Sequence, residues 1–409
     1  MSSSSRDGTA SAIPDYRLGR IYLASYLYAI SYGATFLLSL LIASRGGNDA
    51  DAGTVISAAT VSSIVAIVLS GHVIDRIGAA RSVAAAGALL CLACIGFAAT
   101  ADIGVVMLAS ALMFGIGWGI FYTLVPLIVA MTVEPAHRIR YFTLLTGSTM
   151  SGIGSGPLIG RACIGFGLPI ESAFYIAAAT VGFGTLLLLS WDAQAHSRRL
   201  AAGGSVPVCK ISVNATLRVL RSRAAFSIAM VGLGACIFGG LSSFQTSYAA
   251  QRQLDYSLFF VGFMSAAILS RLSMAGVVGK RDPLVSASVL TGMIALSILL
   301  FLTVVDSPAT YLLAAAVLGG GYGLTYPIIN VLAANEAPPQ DAPQSLLLFS
   351  LSYFIGIFGF PMIAGRTIVT LGIGTMLLAT LAIAVANWAI AVGRLIDRKR
   401  RKVAAMAQV

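Results

Sequence analysis

The sequence predicts an all-α membrane protein of twelve transmembrane helices, arranged as two pseudo-symmetric six-helix bundles. Three observations predict it. Only 10% of the 409 residues are charged and 58% are hydrophobic, with a mean hydropathy of +0.90, whereas soluble domains carry about 25% charge. The apolar residues fall in runs long enough to cross a bilayer, which takes about 20 residues as helix. Glycine and proline patterns in one half recur in the other. This composition excludes a soluble enzyme, a disordered chain and a disulfide scaffold.

Lipid offers no partners for free backbone groups, so each long apolar run reads as a helix. The spans fall at about 20–43, 54–74, 82–100, 103–131, 141–163, 169–191, 224–248, 257–279, 284–305, 309–333, 346–365 and 371–393. Polar clusters punctuate them, among them Gly46-Gly47-Asn48-Asp49, Asp75-Arg76, Glu134-Pro135, Asp306-Ser307-Pro308 and Pro338-Pro339-Gln340. The third and fourth spans, like the eleventh and twelfth, are separated by very little, so ten or eleven spans is the alternative count. Residues 1–19 are Ser-rich and polar with no signal-peptide cleavage pattern, and the run after them is read as the first span. The predicted division is a cytoplasmic tail (1–19), a first bundle (20–191), a cytoplasmic linker (192–223), a second bundle (224–393) and a basic tail (394–409).

With the N-terminus inside, 21 of the 26 Lys and Arg fall on the cytoplasmic side. Four (Arg45, Arg161, Arg252 and Arg366) fall outside, and Arg271 lies within a span. The positive-inside rule then predicts a multi-pass membrane protein with both termini cytoplasmic. The net charge of +11 becomes an orientation signal, and nucleic-acid binding is not expected. All 15 Asp and Glu stand in loops or at span ends. The five cysteines are scattered and read as small packing residues. The three His are grouped with neither Cys nor carboxylates, so no metal, cofactor or catalytic set is expected.

The two halves resemble each other. Gly115-x-Gly117-x-Gly119-x-x-Tyr122 in the fourth span recurs 204 residues later as Gly319-x-Gly321-x-Gly323-x-x-Tyr326 in the tenth. Pro157 recurs as Pro361 at the same offset. Parallel six-helix repeats related by an axis along the membrane normal characterise one transporter architecture.

Between the second and third spans stands Gly71-His72-Val73-Ile74-Asp75-Arg76-Ile77-Gly78-Ala79-Ala80-Arg81. It resembles the G-x-x-x-D-R-x-G-R-[RK] signature of the major facilitator superfamily, matching at Gly71, Asp75, Arg76 and Gly78 and keeping the basic cluster only as Arg81. The resemblance implies a gating role for these five residues. A remnant, Gly276-Val277-Val278-Gly279-Lys280-Arg281, occupies the second half without the acidic residue. In the fifth span, Gly152-x-Gly154-x-Gly156-Pro157-x-x-Gly160 is similar to the G-x-x-x-G-P-x-x-G-G motif of antiporter-type exporters, with Arg161 in place of the last Gly. Gly152, Gly156, Pro157 and Gly160 are therefore expected to pack and kink helices. The Arg that many proton-coupled exporters carry early in the fourth span is Ala111 here.

In that superfamily, spans one, four, seven and ten line a central cavity. The resemblance thus makes Tyr28, Tyr32 and Phe36, Trp118 and Tyr122, Gln245, and Tyr322, Tyr326 and Asn330 candidates for contact with solute. Arg271 joins them because intramembrane ionisable residues are costly; packing is the alternative role. The resemblance, nearest to bacterial efflux-type members, implies alternating-access transport of a small organic solute by a monomer in the bilayer of a bacterial inner membrane, in the export direction, with proton antiport through Asp75, Glu134 or Glu171 as a candidate coupling. An uptake symporter or facilitative carrier, for instance of an organic anion, and a non-transporting sensor or scaffold are the alternatives.

Overall fold

Helix ends in this chain are written in its polar punctuation. The computed structural model describes residues 15–133, 138–199, 212–278 and 281–406. Asn48 caps a helix by accepting from Ala50 N and Asp51 N, while Asp51 accepts in return from Asn48 N. Ser307 and Thr310 make the same reciprocal arrangement ahead of Pro308, and Asp282 caps ahead of Pro283. Each cap satisfies donors that would otherwise be orphaned at a helix start, and proline is pre-set for that position.

The first bundle contains α1 (Asp15–Thr35), α2 (Leu38–Ser44), α3 (Asp49–Ile77), α4 (Ala79–Ala99), α5 (Val105–Thr132), α6 (Arg138–Gly165) and α7 (Glu171–Arg199). A short amphipathic α8 (Val213–Arg221) follows. The second bundle contains α9 (Ala224–Ser243), α10 (Gln245–Gln251), α11 (Ser257–Val278), α12 (Pro283–Thr303), α13 (Pro308–Glu336), α14 (Ala342–Leu371) and α15 (Ile373–Met406), with a 3₁₀ turn at Pro339–Asp341. Among the described residues, nine helices are each long and apolar enough to cross a membrane, and α1 with α2 makes a tenth crossing bent by 47°. α6 and α11 stand at the other two predicted positions. α6 returns most of its Ser and Thr hydroxyls to carbonyls one turn back, as Thr149 does to Leu145 and Ser155 to Ser151, while Ser148 donates to Tyr22 O of α1, which makes them tolerable in lipid.

Four sequence expectations are corrected. The first span is not continuous: 3₁₀-type bonds from Phe36 N to Gly33 O and from Leu37 N to Ala34 O tighten and end α1. The seventh breaks likewise at Phe244, whose N–H turns to Leu241 O. The predicted loop between the second and third spans shrinks to Gly78, whose φ of +83° only glycine adopts without strain. The predicted C-terminal tail continues α15 as helix to Met406.

The internal repeat is visible in what the glycines touch. Gly115 lies against the Ala59 carbonyl and Gly319 against that of Phe263; Gly117 meets Ala86 and Leu90, and Gly321 meets Leu290 and Ile294. Every partner is displaced by the same 204 residues as its glycine. Matching helices pack alike: α1 on α6 and α9 on α14, α3 on α5 and α11 on α13, α4 on α7 and α12 on α15. The bundles meet chiefly along α3 with α14 and along α6 with α11.

Candidate functional site

The end of the molecule from which α1 rises and to which α15 returns is the termini face; the opposite end is the far face. Between them the bundles meet in a continuous aromatic cluster. Tyr32 of α1 stacks on Trp118 of α5 at 4.8 Å and approaches Phe358 of α14 at 5.9 Å. Phe36 stacks on Phe260 of α11 at 5.4 Å. Tyr122 of α5 stacks on Tyr353 of α14 at 5.5 Å with the rings 7° from parallel. Phe238 of α9 stacks on Tyr322 of α13, and Tyr326 meets Tyr353 edge-on. Such pairs contribute about 0.5–1.5 kcal/mol each beyond burial. They also present ring faces to anything that enters. Two small apolar voids flank the cluster, one beside Phe97, Phe114 and Phe358, the other beside Met230, Gly234, Tyr322 and Tyr326.

Arg271 reaches this centre from α11 and is 8% exposed. Its Nε donates to Gly323 O at 2.6 Å. In a regular helix that carbonyl would accept from the residue four further on, which is Pro327 and has no N–H. The arginine thus serves a carbonyl that proline left free. Tyr122, Tyr322, Tyr326 and Tyr353 are its electrostatic neighbours, and Nη1 is buried without a protein partner.

The predicted residues divide clearly. Tyr32, Phe36, Trp118, Tyr122, Arg271, Tyr322 and Tyr326 come together at the centre. Tyr28 does not: its hydroxyl donates to Val83 O and shares a hydrogen bond with Thr185, which points it between α4 and α7 within the first bundle. Gln245 does not either, because its Oε1 accepts from the buried Tyr311 near the far face. Asn330 lies two helical turns from Tyr322 toward the termini face and is half-buried. Sequence reasoning missed Tyr353, Phe354 and Phe358, which α14 brings in with its four-residue aromatic spacing. It also missed Asn387, buried in α15 with both amide atoms unpartnered.

The far face is sealed by contacts between the bundles. Ser39 Oγ lies 2.5 Å from Thr246 Oγ1 and donates to Ser243 O at 3.1 Å. Ser247 donates to Asp49, and Arg161 pairs with Asp255 at 2.7 Å. Arg161 is the residue that replaces the motif's final glycine, and here it reaches across the interface. Ser57 inserts into α14 beside Pro361: its hydroxyl donates to Phe358 O at 2.6 Å and accepts from Met362 N at 3.0 Å. Those two groups would otherwise bond each other, so the side chain bridges a kinked ladder.

Gly152, Gly156 and Gly160 of α6 lie against Tyr26 and Ala29, Gly33 and Ala34, and Leu37, respectively, and Pro157 falls inside α6. Arg76 and Arg81 are exposed at the termini face around the Gly78 turn. The surroundings of Gly71 and Asp75, and residues 134–137 with Glu134, lie outside the described residues. Glu171 stands 3.7 Å from Arg45, which donates to Phe97 O and Ala98 O and closes the end of α4. Arg252 does the same to Val305 O in the second bundle. On the termini face, Arg394 pairs with Glu336, Arg223 with Asp397 and Arg218 with Asp341.

Comparison with known proteins agrees with this geometry. An uncharacterized MFS-type transporter of Burkholderia pseudomallei is 26% identical over 340 residues, covering 76% of this chain and 78% of that protein. Among solved structures, the nucleoside transporter NupG superposes with a TM-score of 0.71 at 15% identity, covering 93% of this chain and 98% of NupG. A POT family transporter in complex with a thioalcohol-conjugated peptide superposes at 0.72 with 16% identity, covering 94% and 96%. At such identities these structures speak to fold alone. The sequence model described as Major Facilitator Superfamily matches residues 21–361. That match runs through both bundles, from α1 to the proline kink of α14, and the chain therefore belongs to the Major Facilitator Superfamily of membrane transporters.

Proposed function

We propose that the protein exports a small organic solute by alternating access, acting as a monomer with both termini cytoplasmic. The observation that carries the reading is the aromatic centre: rings from both bundles meet there, while the inter-bundle hydrogen bonds and ion pair named above all lie on its far-face side. A solute held at the centre touches both bundles, so its binding energy can bias their movement. The exposed arginines of the termini face, including Arg76, Arg81, Arg221 and Arg401, support the cytoplasmic assignment. Export rests on the glycine–proline pattern from Gly152 to Gly160 that seats α6 on α1. Gly71, Asp75, Arg76, Gly78 and Arg81 act in this reading as the gate that closes the termini face when the far face opens.

The test is flux in liposomes of known protein orientation, with a panel of labelled organic solutes and with or without a pH gradient. Saturable flux is expected, accelerated by a gradient if protons are exchanged. Flux that does not saturate for any solute would instead support a sensor or scaffold. Faster entry into right-side-out than into inside-out vesicles would reverse the direction.

A further inference from the structure

We propose that the centre is a binding site for organic carboxylates with an aromatic body, the carboxylate held by Arg271; this rests on and deepens the transporter reading. The starting point is a guanidinium with unfinished business. Arginine carries five N–H donors in a planar fork. The bond that explains the residue structurally, from Nε to the Gly323 carbonyl freed by Pro327, uses one. Nη1 is enclosed yet has no protein partner. The carboxylates among the described residues stand at helix ends, in turns, or, for Asp192 and Asp397, in the termini-face extensions of α7 and α15. Among the described residues, the interior therefore holds a cation with no protein anion to balance it, an arrangement that is costly in a membrane.

The surroundings of Arg271 specify what balances it. Its electrostatic neighbours are the side chains of Tyr122, Tyr322, Tyr326 and Tyr353. Phenolic hydroxyls donate to carboxylate oxygens without adding charge, and an arginine fork matches a carboxylate in bidentate fashion. The same tyrosines, with the Tyr32–Trp118 stack beside them, offer ring faces to a flat apolar body. A neutral solute would leave the guanidinium unbalanced, and a cationic one would be repelled by it. Tyr122 comes from the first bundle, whereas Arg271 and the other three tyrosines come from the second, so a carboxylate at this point bridges the interface that must move.

The experiment uses the full chain in nanodiscs with benzoate, salicylate, 2-naphthoate and indole-3-acetate as probes, each against its neutral amide, and benzylammonium as the cationic control. Binding is read as a saturable rise in thermal stability and as a change in tryptophan fluorescence, to which Trp118 contributes. At least one carboxylate is expected to bind about tenfold or more tightly than its amide. Arg271→Gln, whose amide can still donate to the Gly323 carbonyl, is expected to lose about tenfold or more of that affinity. Arg271→Lys should fall between, and Tyr353→Phe and Tyr326→Phe should each weaken binding several-fold without unfolding the protein. If no carboxylate binds the wild type, if amides bind as well as acids, or if Arg271→Gln binds the acid unchanged, the proposal is wrong. Should Arg271→Gln not fold, the acid–amide contrast and the two Tyr→Phe variants decide. The two readings fail separately. Arg271-dependent carboxylate binding without saturable flux removes the transporter reading and leaves the site. Saturable flux of a neutral or cationic solute, untouched by Arg271→Gln, removes the site and leaves the transporter.

Discussion

Tyr28, Tyr32 and Phe36 lie four residues apart on one helix, yet they end in different places. Each step of four advances about 400° around the axis, so a nominal stripe drifts, and Tyr28 turns far enough to bond within its own bundle. Tyr28→Phe is therefore expected to cost about 1 kcal/mol of stability with solute affinity unchanged, as read by unfolding in detergent beside a binding assay. The far-face pair makes a pH prediction. Burial alone would push the Asp255 carboxyl up, but hydrogen bonds from Arg161 and Ser257 outweigh it and hold it below the ordinary range. A carboxyl lowered in the folded state contributes stability above its unfolded value, about 4, and loses it as pH falls further. Both partners are about a third or more exposed, so solvent screens the pair and its effect on stability is small. Thermal unfolding of wild type and Asp255→Asn should show a small constant gap from pH 5 to 8 that closes toward pH 3.

At the scale of the element, glycines separate into those that touch another helix and those that do not. A Cβ on Gly156 would collide with the Gly33 carbonyl carbon, whereas one on Gly182 meets nothing within 4 Å. Gly156→Ala is expected to destabilise by about 1–3 kcal/mol through overpacking of α6 on α1, and Gly182→Ala to be neutral or stabilising by up to about 1 kcal/mol; chemical denaturation of both variants checks the contrast. Much of this level was legible in sequence. Asn48 and Ser307 fall in polar clusters that separate the predicted spans, and both cap helix starts; the glycine–tyrosine pattern announced the duplication. The breaks at Phe36–Leu37 and Phe244 were not legible, because apolar residues occupy them and only a change from i−4 to i−3 bonding ends the helix. Asp75-Arg76 read as a loop because charges usually sit in one, whereas α3 runs through them to Gly78. The aromatic centre was half legible: the resemblance picked out the spans, and their aromatic residues gave Tyr32, Trp118, Tyr122, Tyr322 and Tyr326, but Tyr353 and Phe358 arrive from α14, a span the resemblance did not single out.

For the whole molecule, the alternating-access reading makes the arrangement of contacts between bundles one end of a cycle, closed at the far face. Cysteines at Ser39 and Thr246, whose hydroxyls lie 2.5 Å apart, should cross-link under mild oxidant. The link should abolish flux, and reduction should restore it; unimpaired flux through a fully cross-linked protein would mean that the far face does not open between Ser39 and Thr246. The insertion of Ser57 into α14 carries a further consequence. The Met362 amide bonds to the other bundle while the two are together, and the Phe358 carbonyl is its partner within α14 when they part. Each separation of the bundles therefore passes that one N–H from a hydroxyl to a carbonyl, so the resonance of a single amide reports the opening of the far face before any solute has been identified.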